Sequence, residues 1–184
     1  MGNPRTLIRG QKMHRDLTWN FSFWRPLNWQ RGELTDPHGV VYYPEEDPRT
    51  GFYVTITDLG DVTGDLTDDD LLALYEGLRE ALRDLPACEI LAEREITKEG
   101  ARGFEFVLTF TVADDAYKQK LRVLYIDNRQ YTIYGQGTPP EDYDLFENNF
   151  DYIYLTFRFG DLLLDMGVPP MPGMDVRYDI PPDH

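Results

Sequence analysis

The sequence has few residues of the kinds that build reactive centres. Cys88 is the only cysteine, and there are three histidines in 184 residues. A single cysteine excludes an intramolecular disulfide and a cysteine-based zinc site. His14, His38 and His184 lie far apart, so neither a two-histidine metal pair nor a nucleophile with its base is apparent. We therefore predict no catalytic residue, no metal and no cofactor, and we interpret Cys88 as a buried small hydrophobe.

Basic charge is scarce as well. There are 18 Lys and Arg against 33 Asp and Glu, which gives a net charge of −15. A polyphosphate would be repelled by this balance, so we do not expect nucleic-acid binding. No run approaches the roughly 20 apolar residues of a membrane span, and the start lacks the apolar core of a secretory signal. We expect a cytoplasmic protein that does not bind a membrane.

The overall composition is typical of a globular protein, because 41% of the residues are hydrophobic and 14% are aromatic. Residues 1–15 carry four basic side chains and no acidic one, so we interpret them as a basic N-terminal arm. We predict one α+β domain over residues 16–160. Residues 161–184 form a proline-rich C-terminal tail, which is typical of an extended segment.

Seven segments have strand patterns. In the first, Trp19, Phe21 and Phe23 alternate with polar residues, which predicts a strand with one buried face. Later segments are joined by short links such as Asp127-Asn128, a tight hairpin signal. Short links imply antiparallel pairing in a meander. The predicted strands are residues 17–24, 40–43, 52–57, 89–97, 104–112, 121–126 and 130–134.

Two helices are predicted. Thr67 is a good N-cap, and the three aspartates that follow it favour a first turn. A leucine-rich stripe then runs at helical spacing from residue 71 to residue 85, where Pro86 ends the helix. Pro139-Pro140 opens a second helix with an apolar stripe that fades near residues 156–159.

Four of these stretches together resemble the PsbP/Mog superfamily. They are the first strand with its Pro26-x-x-Trp29 continuation, the strand at 52–57 leading into the leucine-rich helix, the strands of 105–134, and the closing helix ending in Leu-Thr-Phe-Arg at 155–158. The resemblance implies an α/β/α sandwich with a central, mainly antiparallel sheet of about seven strands and two main helices. It also implies docking onto partners rather than catalysis. No Ran-contacting position and no metal site of the photosystem subunit can be aligned.

Clustered carboxylates between the third strand and the first helix are one candidate site. They could hold Ca²⁺ or meet a basic partner. The EF-hand pattern is incomplete, because a start at Asp61 puts Leu66 in place of its glycine and Leu72 in place of its glutamate. The alternative is a solvated loop with helix N-terminal charge. The cluster comprises Asp58, Asp61, Asp65, Asp68, Asp69 and Asp70.

Three tryptophans near the start are the other candidate. Trp19, Trp24 and Trp29 could line a pocket or a docking patch, or they could belong to the core. The alternation places Trp24 on the strand face opposite Trp19. We predict partner binding through Trp24 together with Asp58, Asp61, Asp65, Asp68 and Asp69.

These observations predict a non-enzymatic protein-docking or scaffold domain. Its partner would be a basic protein surface, or a second copy of the chain in a homodimer. The alternative is a small-ligand or divalent-metal carrier, with a pocket between the sheet and the first strand.

Overall fold

The structure, a computed structural model, describes residues 2–32, 34, 38–60 and 66–160. The proline-rich tail predicted over residues 161–184 lies outside them. The described residues hold ten strands, two helices and a 3₁₀ turn at Pro4–Thr6. The strands are β1 (Gln11–Asp16), β2 (Phe21–Pro26), β3 (Gln30–Gly32), β4 (Gly39–Tyr43), β5 (Gly51–Asp58), β6 (Glu89–Lys98), β7 (Ala101–Val112), β8 (Asp115–Ile126), β9 (Arg129–Gly137) and β10 (Arg158–Phe159); the helices are α1 (Asp68–Arg83) and α2 (Pro140–Thr156).

Seven strands form one antiparallel sheet in the order β3-β4-β5-β9-β8-β7-β6. Two-residue turns at 99–100, 113–114 and 127–128 join β6, β7, β8 and β9. All six turn residues have positive φ, the conformation of a type I′ hairpin turn, whose twist matches that of the flanking strands. The predicted antiparallel meander is confirmed.

The prediction of a first strand over residues 17–24 is wrong for its first half. Residues 17–20 form the turn of a hairpin between β1 and β2, which builds a separate three-stranded sheet with β10. Asn20 adopts a left-handed φ of 53°, and the carboxylate of Asp16 accepts a 2.9 Å hydrogen bond from the Trp19 backbone N–H. Because the alternation of aromatic residues continues through this turn, the sequence pattern gives no sign of the turn. The short strand β3 takes the remaining place in the large sheet.

The N-terminal segment packs beside helix α2. Arg5 forms ion pairs with Glu45, at 2.6 Å, and with Asp142, at 3.3 Å. The side-chain amide of Asn149 donates to the Thr6 carbonyl at 3.1 Å. Strand β1 begins five residues after this contact. Arg5, the first basic residue of the predicted arm, therefore lies against the folded domain.

Hydrophobic cores cover both faces of the large sheet. On β8, Leu124 belongs to the core beneath α2 and the small sheet, whereas its neighbours Val123 and Tyr125 belong to the core beneath α1. Alternate strand residues point to opposite faces, so each helix covers its own face. The predicted α/β/α sandwich of the α+β class is confirmed.

Helix α1 begins as predicted. Thr67 caps it through a capping box in which its hydroxyl accepts from the Asp70 N–H at 3.1 Å, and the Asp70 carboxylate accepts from the Thr67 N–H at 2.9 Å. These bonds lower the pKa of Asp70. Helix α1 ends at Arg83, three residues before Pro86. Among the described helices, none is long and apolar enough to cross a membrane.

Candidate binding groove

Strand β6 is an open edge of the large sheet. It is ten residues long, and within the described residues it pairs only with β7. Most of its residues are exposed. An edge strand of this length presents a row of backbone N–H and C=O groups to the surroundings, so it can take up a further strand.

The hairpin turn determines which backbone groups point outward. The turn at 99–100 closes on the pair Lys98 and Ala101, whose N–H and C=O groups bond to each other. Hydrogen-bonded pairs alternate along an antiparallel ladder. The backbone groups of Glu93, Glu95 and Thr97 therefore point away from β7, and no described residue hydrogen-bonds to them.

A groove of about 700 Å³ runs beside this edge, between α1 and β6. Its lining comes from the first half of α1, from the middle of β6 and from the start of β7. The lining residues are Asp68, Leu71, Leu72, Tyr75, Glu93, Arg94, Glu95, Arg102 and Phe104.

The groove has an apolar part that rests on the core. Leu71 is buried, and the Tyr75 ring packs against Phe104 and Phe106 with centroids 5.3 and 6.0 Å apart. Leu72, one position from the buried stripe, is 55% exposed. An exposed leucine beside a fixed aromatic ring offers a partner apolar surface to bury.

The polar rim is joined by hydrogen bonds between α1 and the strands. The Tyr75 hydroxyl donates to Glu93 at 2.6 Å, and Arg79 Nε donates to the same carboxylate at 3.1 Å. Arg102 donates to Asp68 at 2.9 Å and to Glu95 at 3.4 Å. The bond to Glu93 raises the pKa of Tyr75, and the bond to Asp68 raises the pKa of Arg102.

An ionic cluster fixes the edge strands on the other face of the sheet. Arg94 donates to Glu105 at 2.9 and 3.2 Å, and the buried Arg122 donates to it at 2.9 Å. Arg122 also donates to Asp151 at 3.0 Å and lies 3.8 Å from the centre of the Tyr154 ring. Burial alone would raise the pKa of Glu105, but the hydrogen bonds from the two arginines outweigh it and the pKa is lowered. Arg122 thus links strand β7, through Glu105, to helix α2, through Asp151.

The predicted acidic site is divided by the structure. Asp68 lies in the groove and Asp69 is exposed in the first turn of α1. Asp58 ends β5, where its carboxylate accepts from the Gly60 N–H at 2.8 Å. Asp61 and Asp65 lie outside the described residues. Within the described residues, no group of three or more His, Cys, Asp or Glu could hold a metal ion.

The tryptophans do not form one site. Trp29 is buried against Phe146 and Phe150 of α2. Trp19 is half-buried and donates to His38 at 3.1 Å. Trp24 is 39% exposed on β2, and its backbone N–H bonds to the Thr156 hydroxyl. It therefore lies on the α2 side of the sheet, away from the groove.

The space suggested for a small ligand is filled. Between the first aromatic strand and the large sheet, Phe21 and Phe23 stack on Phe157, and Phe23 also meets Phe52 edge-on. All four rings are buried. Cys88 is half-buried rather than buried, and this partial burial raises the pKa of its thiol. A raised pKa disfavours the reactive thiolate.

Sequence reasoning missed most of the groove. Glu93 and Glu95 were part of a predicted strand, but pattern alone does not reveal which strand lies at an edge. Leu72 carried a signal, because it is a large apolar residue outside the stripe that Leu71, Leu74 and Leu78 continue.

No protein-family model and no curated protein matches the chain. Its fold is similar to the solution structure of cyanobacterial PsbP (CyanoP) from Synechocystis sp. PCC 6803, with a TM-score of 0.58 and 15% identity over 83% of this chain and 94% of that one. The Ran-binding protein Mog1p of Saccharomyces cerevisiae has a TM-score of 0.51 and 13% identity over 84% and 98%. LpqN of Mycobacterium tuberculosis, involved in cell envelope biogenesis, has a TM-score of 0.53 and 14% identity over 83% and 91%.

Each similarity spans most of both chains. Identities this low establish fold without transferring activity. The resemblance to the PsbP/Mog superfamily is thus confirmed at the level of architecture. The chain has the Mog1/PsbP-like fold, and no sequence-level family matches it.

Proposed function

We propose that this chain is a non-enzymatic protein-docking domain and that its partner binds in the groove between α1 and β6. One observation carries the proposal: an open edge strand with outward-pointing backbone groups lies beside an exposed apolar helix flank. Backbone groups supply affinity to an extended partner, and side-chain pockets supply specificity. The groove offers both within one surface.

The charge of the groove favours a basic partner. Asp68, Glu93 and Glu95 line it together with Arg94 and Arg102, and the chain as a whole carries a net charge of −15. Such a surface accelerates encounter with a positively charged partner, and salt weakens this effect. Arg102 and Arg79 neutralise part of the rim and hold its carboxylates in place.

The similar structures support a binding role without identifying the partner. Mog1p is a Ran-binding protein, so a chain with this architecture can serve protein recognition. The two described histidines add no evidence for catalysis. His14 lies 2.9 Å from the Tyr42 hydroxyl, and His38 accepts from Trp19.

Affinity capture from an extract of the natural host tests the proposal. The bait is the full chain, and the variants are Leu72→Glu in the groove and Leu155→Glu as a matched control. Leu155 is 67% exposed on α2, so its substitution adds the same charge elsewhere on the surface. We expect a partner to be retained by the wild type and by Leu155→Glu and lost with Leu72→Glu. Equal capture by both variants would refute the groove as the docking site, and an isolated monomer in capture, crosslinking and sedimentation would refute docking altogether.

A further inference from the structure

We infer that the partner segment binds as an added antiparallel strand on β6, with a charge order that β6 dictates. The inference rests on the proposed docking function and adds its mode and the partner's chemistry. The occupant is an extended segment of another protein that carries basic side chains on one face and acidic side chains on the other. The backbone, the side chains and the exclusion of self-pairing each support it.

The backbone of β6 is prepared for such a strand. The outward N–H and C=O groups of Glu93, Glu95 and Thr97 alternate with those of Arg94 and Ile96, which bond to β7. Three consecutive outward residues provide up to six hydrogen bonds to an added strand. The β-bulge at residues 90–92 interrupts the register, so regular pairing extends from residue 92 to residue 98.

The side chains of β6 carry opposite charges on its two faces. Glu93 and Glu95 pair with Phe106 and Phe104, which belong to the core beneath α1, so both glutamates point to the groove face. Arg94 pairs with Glu105 on the opposite face. Lys98 lies an even number of residues from Arg94 and shares its face.

Directly opposed residues of antiparallel strands share a face, so these charges specify their partners. Basic residues belong opposite Glu93 and Glu95, and acidic residues belong opposite Arg94 and Lys98. A carboxylate has about four acceptor positions. The existing bonds from Tyr75 and the neighbouring arginines therefore leave room for an added cation.

A second copy of β6 does not satisfy this order. A two-fold axis normal to the sheet preserves the faces, so only residues an even number of positions apart oppose each other. When the axis passes through Glu93, Arg94 or Glu95, that residue faces its own copy. A shift of the axis to residue 96 opposes Arg94 to Lys98, and a shift to residue 92 requires pairing across the β-bulge at residues 90–92, where the register is broken. The registers with an axis at residues 93–96 therefore bring like charges together, which destabilises the pair.

The probe is the blocked synthetic peptide ETVKEKV, whose residues oppose β6 from residue 98 back to residue 92. The control peptide KTVEKEV has the same composition with every charge exchanged. Binding is followed by NMR on the ¹⁵N-labelled full chain. We expect slower amide exchange at Glu93, Glu95 and Thr97 and unchanged exchange at Arg94 and Ile96. Because four charge pairs reverse, the control peptide is expected to bind at least about tenfold more weakly.

Backbone methylation of the peptide tests the strand geometry without altering the protein. The N–H of its fourth residue faces β6, whereas the N–H of its fifth residue faces away. N-methylation at the fourth residue should abolish binding, and N-methylation at the fifth should preserve it. Equal binding of the two charge isomers, equal effects of the two methylations, or absence of binding would each overturn strand addition.

These outcomes are distinct from failure of the proposed function. Loss of partner capture with Leu72→Glu, together with no peptide effect on the β6 amides, would leave a docking groove that does not bind a strand. Unchanged capture with Leu72→Glu would remove the groove as a docking site whatever the peptides do. Concentration-dependent dimerisation abolished by Glu95→Lys would assign β6 to self-pairing and overturn the inference.

Discussion

The Tyr75 hydroxyl donates a 2.6 Å hydrogen bond to a carboxylate oxygen of Glu93, and this bond joins helix α1 to the edge strand β6. Arg79, one turn further along α1, reaches the other oxygen of the same carboxylate at 3.1 Å. The two bonds set the distance between the helix and the strand on which the groove depends. They hold α1 and β6 together as two walls of one groove.

Tyr75→Phe is expected to lower the free energy of unfolding by about 1 kcal/mol, because the hydroxyl bonds to a charged acceptor that stays partly solvated. Urea unfolding measures this change. Tyr152→Phe is the control, since its hydroxyl bonds to the uncharged Gln11 side chain on the surface. Equal losses for the two variants would contradict a special role for the bond to Glu93.

Arg122→Met is expected to lower the free energy of unfolding by about 3 kcal/mol, because it leaves Glu105 buried with only the exposed Arg94 as partner. Arg122→Met combined with Glu105→Met should recover at least half of this loss. Arg49→Met, which removes ion pairs with exposed Asp47 and Asp115, should lower the free energy of unfolding far less than Arg122→Met does. Similar values for Arg122→Met and Arg49→Met in urea unfolding would show that the cluster is not coupled.

Because of Glu105, the free energy of unfolding is expected to depend on pH in the acidic range. The pKa of Glu105 is lowered from 4.5 in the folded chain, so its contribution to stability is complete above about pH 4.5 and is lost as the pH falls through the lowered value. Urea unfolding from about pH 3 to pH 7 compares the wild type with Glu105→Gln. The difference between them should be constant at the upper end and narrow at the lower end. A difference that is independent of pH would be inconsistent with the lowered pKa.

Two glycines predict opposite results on substitution by alanine. Gly77 lies in α1 with open space where a Cβ would stand, so Gly77→Ala should raise the free energy of unfolding by about 0.5–1 kcal/mol. At Gly103 of β7, a Cβ would stand 1.7 Å from the Val123 carbonyl oxygen. Gly103→Ala should therefore cost at least about 2 kcal/mol. Thermal melting of both variants checks the signs, and a stable Gly103→Ala variant would contradict the close approach of β7 and β8.

The sequence places Asp58 and Asp68 in one predicted partner-binding site, whereas in the structure Asp68 lines the groove and Asp58 ends β5. Asp68→Asn should weaken binding of the captured partner by about two- to fivefold, because Asp68 is a charge on the groove rim. Asp58→Asn, at the end of β5, should change it little. Biolayer interferometry with the captured partner measures both constants. A larger effect for Asp58→Asn would favour the loop over the groove.

Local chemistry explains which features could be predicted from the sequence. The capping box at Thr67, the turn at Asp127-Asn128 and the strands of the meander follow from signals within a few residues. The turn at residues 17–20 could not be predicted, because the aromatic alternation continues across it. The left-handed φ of Asn20 does not alter that alternation.

The groove could not be predicted from the sequence, for a different reason. Its residues come from α1, β6 and β7, and whether a strand lies at an edge depends on the order of strands in the sheet, not on its own sequence. Asp68 was identified for its charge, whereas Leu72 and Glu93 gain their meaning only from packing. Trp24 was identified for its type, and the structure places it on the other side of the sheet.

Site-specific photo-crosslinking in the natural host tests the central claim most directly. A photo-reactive amino acid replaces Leu72 in the groove or Leu155 on α2, two leucines that are both more than half exposed. The account predicts a crosslinked partner protein from position 72 and none from position 155. A partner crosslinked from position 155 alone, or the same products from both positions, would contradict docking in the groove.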